Sequence, residues 1–243
     1  LEFRRVLFRS RVDFADLAGA PFSLVEGTNL VGNLSVFYAK SSYGRTGIAP
    51  LGGGTSITPV LRMPRTAAYY GGDRTDELRK DARLAATRAG FFVDAYDYDF
   101  VCMGLVPGFD FAGLGLIGGV GAWIRGAFST DAGVVAHELG HNYGLNHANF
   151  WDTAGKSVIG AGQSLEYGDI FDTMGGSGGG IRQFNARYKS LLNWLPSTGV
   201  QTVTTNGTYT VAAHDDPEAT GIRALRVSRN SQTNYWIRSE EHT

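Results

Sequence analysis

His137-Glu-Leu-Gly-His141-Asn-Tyr-Gly144-Leu-Asn-His147 is the most informative stretch of this 243-residue chain, because it holds three of the five histidines. His137 and His141 are four residues apart, so on a helix their imidazoles lie one turn apart on the same face. Gly144 lets the chain leave that helix sharply, and His147 can then return to the same point. The spacing therefore predicts three imidazoles that converge on one metal ion.

This ligand set is typical of a catalytic zinc ion, because three nitrogen ligands leave a fourth position open. Zinc lowers the pKa of its bound water towards about 7, and Glu138, beside the first ligand, can take the proton and pass it to a leaving amine. A structural zinc site fills the fourth position with Cys or His. Only the fold could bring Cys102, the one cysteine, to that position, so we expect it elsewhere.

The segments around the motif alternate between helix and strand signals. The helix that carries the motif is predicted over residues 132–143, with capping residues at Ser129-Thr-Asp131. Before it, we predict strands over residues 32–39, 91–96 and 100–106, a loop over 44–59, a helix from 73 or 75 to 89, and an extended glycine-rich segment over 114–124. After it, we predict an irregular loop over residues 148–180, a helix over 184–192, a hairpin over 200–211 around Asn206-Gly207, and strands over 222–227 and 235–237.

Composition excludes several classes of protein. Lys and Arg number 22 against 23 Asp and Glu, and this balance argues against nucleic-acid binding through a broad basic surface. One cysteine excludes a disulfide framework within the chain. Residues 101–124 are apolar, but Pro107, Asp110 and several glycines argue against a membrane span. The sequence carries no signal for the oligomeric state.

The two ends of the sequence differ from the rest. Residues 1–10 place arginines between apolar residues without a period, and residues 238–243 interrupt what looks like a strand. Both resemble vector or adapter sequence, so we expect non-native ends and leave them outside the predicted fold. A domain boundary near residues 195–198 then divides a catalytic domain over 11–195 from the start of a C-terminal β-rich module over 196–237.

The motif and its surroundings resemble the metzincin zinc peptidases, and most closely the gametolysin family. Met174, in Asp172-Thr-Met174-Gly175, follows His147 by 27 residues, as the methionine turn of metzincins follows the third ligand. Three further segments carry the family resemblance: Gly118-Gly-Val-Gly-Ala-Trp123, Glu166-Tyr-Gly-Asp169 and Tyr235-Trp236. Two features depart from other metzincin branches: Ala148 follows the third histidine, and no tyrosine lies two residues after Met174.

The resemblance implies an α/β (α+β, zincin-like) domain with a twisted, mostly parallel sheet and an active-site helix, followed by a truncated β module. It also implies secretion, a protein or peptide substrate, and a hydrophobic floor beneath the zinc ligands at Met174. In metzincins the substrate lies antiparallel along an edge strand, and residues 114–124 fit by position, since their glycines allow close backbone approach. The alternative is a glycine-rich turn region with no part in catalysis.

Two sets of acidic residues weakly suggest calcium, because hard oxygen ligands suit that ion. They are Asp94, Asp97 and Asp99, and Glu166, Asp169 and Asp172. Neither set has a recognised ligand spacing, so surface loops and helix caps are favoured over calcium sites.

The sequence thus predicts a zinc-dependent metalloendopeptidase. His137, His141 and His147 hold Zn²⁺, Glu138 acts as general base and acid, and Gly144 and Met174 support the site. Two alternatives stay open: an inactive zinc-holding binding or adhesion module, and a zinc hydrolase of a non-peptide amide. The presence of Glu138 favours catalysis, because a module that only binds has no need of a general base.

Overall fold

A central, mainly parallel sheet with helices on both faces is the frame that positions the histidine motif. The computed structural model describes residues 3–49, 56–157, 160–176 and 181–240. Its five helices are α1 (Leu24–Ser41), α2 (Ala67–Tyr70), α3 (Thr75–Arg88), α4 (Ala132–Asn142) and α5 (Ala186–Leu191). Its strands are β1 (Phe3–Asp13), β2 (Thr46–Ala49), β3 (Ile57–Arg62), β4 (Tyr98–Met103), β5 (Gly113–Gly115), β6 (Gly121–Arg125), β7 (Phe150–Asp152), β8 (Gln163–Leu165), β9 (Val200–Val203), β10 (Ala224–Ser228) and β11 (Asn234–Arg238). The mixed α/β fold with a mainly parallel sheet, predicted from the sequence, is confirmed.

The large sheet has the strand order β2-β1-β4-β6-β5, and β3 pairs with the second half of β1. Every pairing in it is parallel except that of β5 with β6. Strand β5 therefore lies at one edge of the sheet and runs against its neighbour. Two further sheets are small: β11-β10-β9, and the hairpin β7-β8.

The sheet divides the apolar interior into two layers, because successive strand residues point to opposite faces. Along β4, Phe100 and Cys102 pack in the layer of α1 and α4, whereas Val101 and Met103 pack in the layer of α3. All four are buried, as expected for a strand covered on both sides.

The central strand contains residues that the sequence prediction sets aside. Residues 3–10 form most of β1, which pairs with β2, β3 and β4, so their exclusion from the fold is wrong. Leu7 and Phe8 are completely buried on opposite faces of the sheet, which explains the apolar residues between the arginines. Their non-native origin stays a prediction. Arg238 is the last residue of β11, and residues 241–243 lie outside the described residues.

Residues 32–39 are helical, and the strand predicted there is wrong. Helix α1 begins at a capping box in which Ser23 and Glu26 bond each other's backbone N–H groups. Its buried residues Leu30, Leu34 and Phe37 recur at helical spacing, a period that extends beyond the short window taken as a strand.

Other predicted boundaries need correction. Residues 44–59 contain β2 and the start of β3 rather than only a loop, and residues 50–55 lie outside the described residues. Residues 91–96 form a short 3-10 turn over Val93–Ala95 rather than a strand. The predicted hairpin over 200–211 is wrong, because β9 ends at Val203 and pairs in parallel with β10. Residues 204–208 are exposed, so the alternating pattern there has no buried face to hold a second strand.

The loop predicted over residues 148–180 contains the short β7-β8 hairpin, and residues 158–159 and 177–180 of that segment lie outside the described residues. The helices over 75–88 and 132–142 and the strands near 100 and 225 lie close to their predicted positions. In the described part of the chain, no helix combines the length and the apolar character that crossing a bilayer requires.

Candidate metal centre

Helix α4 carries the first half of the histidine motif. Asp131 caps it by accepting a hydrogen bond from the N–H of Val134 at 2.9 Å. Its apolar residues Val135 and Leu139 enter the core, and this burial turns the opposite side towards the cleft. The helix ends as predicted, with Gly144 beyond it at a φ of 91°, a conformation that favours glycine.

The three histidines of the motif lie together. Their ligand nitrogens are all within 4.8 Å of one another. The ring centroids of His137 and His141 are 4.8 Å apart, and those of His141 and His147 are 4.9 Å apart. Within the described part of the chain, this is the one group of three or more His, Cys, Asp or Glu residues that can hold a metal ion.

Each imidazole is oriented by an oxygen that accepts a hydrogen bond from its Nδ1. The acceptor for His137 is the carbonyl of Thr173 at 2.8 Å, and for His141 the carbonyl of Leu145 at 2.7 Å. For His147 it is Oε1 of Glu166 at 2.6 Å. Because Nδ1 must donate in each case, the neutral ring carries its lone pair on Nε2, as a metal ligand requires.

Burial favours the neutral form of these rings. It lowers the pKa of His137 to about 4 and also lowers that of His141. Both rings are therefore unprotonated at neutral pH, the form in which histidine binds metals. An all-nitrogen donor set of this kind suits zinc.

Glu138 lies beside the ligands and against the edge strand. Burial raises the pKa of its carboxyl to about 8, and a hydrogen bond from the N–H of Gly115 opposes this shift. A Cβ atom at Gly113 would lie 2.5 Å from both Cγ and Oε1 of Glu138, so β5 approaches the carboxylate only because that position is glycine.

The loop between β5 and β6 is hydrogen-bonded to the C-terminal end of α4. Asn142 donates from its side-chain amide to the carbonyls of Leu116 and Gly121, at 3.1 and 3.0 Å. The N–H of Gly118 donates to the carbonyl of His141 at 2.8 Å. These bonds fix the β5-β6 loop relative to the ligands.

A cleft of about 380 Å³ opens beside Glu138. The residues that line it come from the segment before β5, from α4 and from the loops around Tyr167 and Thr173, and include Phe111, Val134 and His137. The cleft thus gives a ligand access to both a histidine of the cluster and the carboxylate.

Met174 lies directly beneath the motif helix. It is completely buried, and a Cβ at Gly140 would overlap its Sδ. The turn that presents it is closed by a hydrogen bond from the N–H of Gly175 to the carbonyl of Asp172 at 2.9 Å. The Asp172 carboxylate also accepts from the N–H groups of Met174 and Asn185, each at 2.5 Å.

The acidic residues considered for calcium are paired elsewhere. Asp99 binds Arg79 and Arg83, Asp94 binds Arg83, and Asp97 binds Arg5. Glu166 binds His147, Asp169 binds Arg238, and Asp172 binds backbone N–H groups. Cys102 is buried in the sheet and is not a member of the histidine cluster.

Two residues at this site were missed from the sequence: Glu166 as the partner of His147, and Tyr167, whose ring stacks on that histidine at a centroid distance of 3.8 Å. Their signal in the sequence is the segment Glu166-Tyr-Gly-Asp169, which carries part of the family resemblance and whose acidic residues weakly suggest calcium.

Comparison with known proteins gives one family match. The family model described as gametolysin peptidase M11 matches residues 26–231. No curated protein matches the chain. Two crystal structures of wild-type OgpA from Akkermansia muciniphila are similar, with 14% and 15% sequence identity and TM-scores of 0.47 and 0.48. The alignments cover 86% and 84% of this chain but 66% and 64% of OgpA, so the chain spans slightly less than two thirds of that protein.

The family match includes the whole of the histidine motif, Glu138 and the turn at Met174. Since it extends over most of the sequence, from α1 to beyond β10, the chain belongs to the gametolysin peptidase family M11.

Proposed function

We propose that this protein is a zinc-dependent metalloendopeptidase that hydrolyses peptide bonds in proteins. The observation that carries the proposal is the convergence of three imidazoles with a buried carboxyl group beside them. His137, His141 and His147 would hold the zinc ion. When bound, zinc supplies a Lewis acid and lowers the pKa of a coordinated water molecule towards about 7.

Glu138 is the residue that moves the proton. Its carboxylate faces the cleft from α4 and is held by the N–H of Gly115. The positive charge of a bound zinc ion would favour the ionised form of this carboxyl against the effect of burial. The carboxylate would then take a proton from the attacking water molecule and give it to the leaving amine, which is general base and then general acid catalysis. No side chain forms a covalent bond to the substrate in this scheme.

Strand β5 is the proposed binding edge for the substrate backbone. It ends the large sheet, and no strand of the described residues pairs with its outer edge, where the N–H of Gly115 bonds Glu138, so an extended peptide can add a strand there. Its glycines allow a peptide backbone close to Glu138. The partly exposed side chains of Leu114 and Leu116 lie on this segment.

The remaining family features extend the proposal. Met174, buried against Gly140, is the hydrophobic floor of a metzincin-like, zincin-type site, and Gly144 turns the chain towards His147. With β1 included, residues 3–195 form the catalytic domain, and residues 196–238, which contain the small sheet β11-β10-β9, form a β-rich module. The protein acts outside the cell, as expected for a secreted peptidase of this family.

The test is hydrolysis of casein and of an internally quenched peptide by the purified protein, with and without a chelator and with added zinc. We expect hydrolysis that the chelator abolishes, that zinc restores, and that Glu138→Ala reduces by at least about 10²-fold while zinc stays bound. Glu218→Gln, on an exposed turn, removes the same charge away from the cleft and serves as the control.

Activity that survives in Glu138→Ala contradicts the proposed role of that residue. Zinc binding without hydrolysis of any substrate indicates a binding module. Hydrolysis of small amides but not of peptides indicates a different zinc hydrolase.

A further inference from the structure

His147 is held differently from the other two histidines. His137 and His141 lie on α4, and their Nδ1 atoms bond to backbone carbonyls. His147 lies beyond the end of that helix, and its Nδ1 donates to the side chain of Glu166 at 2.6 Å. The third ring therefore depends for its orientation on a residue 19 positions later in the chain.

Tyr167, next to Glu166, covers the face of the same ring. Its ring centroid lies 3.8 Å from that of His147, with an angle of 33° between the planes. The ring centroids of Tyr167 and His137 are 6.0 Å apart. Adjacent residues thus hold His147 at its edge through a hydrogen bond and on its face through ring contact.

The backbone of Tyr167 is strained. Its φ is 60°, which is a left-handed conformation that a bulky residue rarely adopts. Such strain persists only where the surroundings determine the conformation, and it is concentrated at functional sites.

Hydrogen bonds with neighbouring segments hold the backbone of Tyr167 in this conformation. Its carbonyl accepts from the N–H of Gly176 at 2.6 Å, and its own N–H donates to Oδ1 of Asn149 at 3.2 Å. The next residue, Gly168, donates to the carbonyl of Leu165 at 3.2 Å. A Cβ at Gly176 would lie only 2.9 Å from the Tyr167 carbonyl, so the close approach of these two segments requires glycine there.

We propose that Glu166 and Tyr167 form a clamp, defined as this pair of positioning residues, that orients His147 and thereby sets the affinity of the site for its metal ion. The proposal rests on the proposed function, because it takes His147 as a ligand. Neither residue is a ligand itself: Glu166 acts through the hydrogen bond to Nδ1, and Tyr167 through the packing of its ring.

The test measures the affinity of each purified variant for zinc by competition with a chromogenic chelator. We expect Glu166→Gln and Glu166→Ala to weaken binding by roughly 10- to 100-fold, the range typical of partners that orient metal-bound histidines. Tyr167→Phe keeps the ring and should bind zinc within about twofold of wild type. Tyr167→Gly removes the ring but fits the backbone conformation without strain, so it should fold and bind zinc more weakly.

A second measurement asks whether the clamp acts through His147. His147→Ala gives the affinity of the two remaining ligands. In that background, Glu166→Ala should have no further effect, because its partner is gone. The absorption spectrum of the cobalt-substituted protein should change in Glu166→Ala and Tyr167→Gly but not in Tyr167→Phe or the control Glu218→Gln.

The outcomes separate the two proposals. Glu166→Ala and Tyr167→Gly variants that bind zinc as tightly as wild type contradict the clamp and leave the proposed function standing. An equal loss from Glu166→Ala with and without His147 also contradicts the clamp. Wild-type protein that binds no zinc contradicts the clamp and the proposed function together.

Discussion

Asp172 is the residue that holds the turn beneath the candidate metal centre. Its buried carboxylate accepts from the N–H groups of Met174 and Asn185, each at 2.5 Å. These bonds connect the turn at Met174, which packs against Gly140, to Asn185, the N-cap residue of α5.

Removal of this carboxylate should destabilise the fold. Asp172→Ala leaves two buried N–H groups without an acceptor, and each such group costs about 1–3 kcal/mol. We expect the free energy of unfolding to fall by roughly 2–4 kcal/mol for Asp172→Ala, and by about half as much for Asp172→Asn, which keeps one acceptor. Urea denaturation measures both, and an unchanged midpoint in Asp172→Ala would show that the turn does not depend on this side chain.

At the scale of single residues, the sequence predicted the part of the site that local spacing controls. His137, Glu138 and His141 lie on α4, where the helical repeat fixes their relative positions. Glu166 and Tyr167 could not be placed in this way, because they reach His147 across a loop whose conformation depends on contacts with Asn149 and Gly176.

Strand β5 approaches Glu138 closely because position 113 is glycine and has no side chain. A Cβ at Gly113 would lie 2.5 Å from Glu138, so a side chain there forces either the strand or the carboxylate to move. We expect Gly113→Ala to lower kcat/KM for peptide hydrolysis by at least about tenfold, because catalytic groups tolerate little displacement.

The matched control for this prediction is Gly32→Ala on α1. A Cβ at Gly32 meets no atom within 4 Å, so alanine there should leave activity unchanged and slightly favour the helix. If Gly113→Ala retains full activity with zinc bound, then β5 does not need to approach Glu138 as closely as proposed.

The sequence predicts an element correctly where its buried residues recur with one period along the whole element. Helix α3 shows helical spacing at Leu78, Ala82 and Ala86, and it was found. Residues 32–39 alone favour a strand, because the capping box of α1 at Ser23 and Glu26 and the first turn of the helix lie before them. Strand β1 is not predicted from the sequence, because its arginines interrupt the run of apolar residues that is typical of a strand buried on both faces.

At the scale of the whole molecule, a buried lysine on α5 connects that helix to the segment before β10. Lys189 is completely buried, and its Nζ donates to the carbonyl of His214 at 3.0 Å and lies 4.6 Å from the centre of the Tyr43 ring. Burial lowers the pKa of Lys189 to about 7. The cost of holding this ammonium group inside the fold therefore depends on pH.

The direction of that dependence follows from the two protonation states. In the unfolded chain the lysine keeps its proton up to about 10.5, whereas in the folded chain it releases it near 7, so between these values the unfolded state binds more protons. Stability must then rise with pH across this window. We expect the stability of wild type relative to Lys189→Met to increase by more than about 1 kcal/mol from pH 7 to pH 10, as measured by urea denaturation. A difference that stays constant, or that falls, contradicts the lowered pKa.

The central claim is that three imidazoles bind one zinc ion and leave a position open beside Glu138. Anomalous diffraction at the zinc absorption edge, from crystals of the zinc-loaded protein, tests it most directly. The account predicts a single strong peak about 2.0–2.1 Å from Nε2 of His137, His141 and His147, with no fourth protein ligand. A peak at another place, or one whose fourth ligand is a protein side chain, would contradict it.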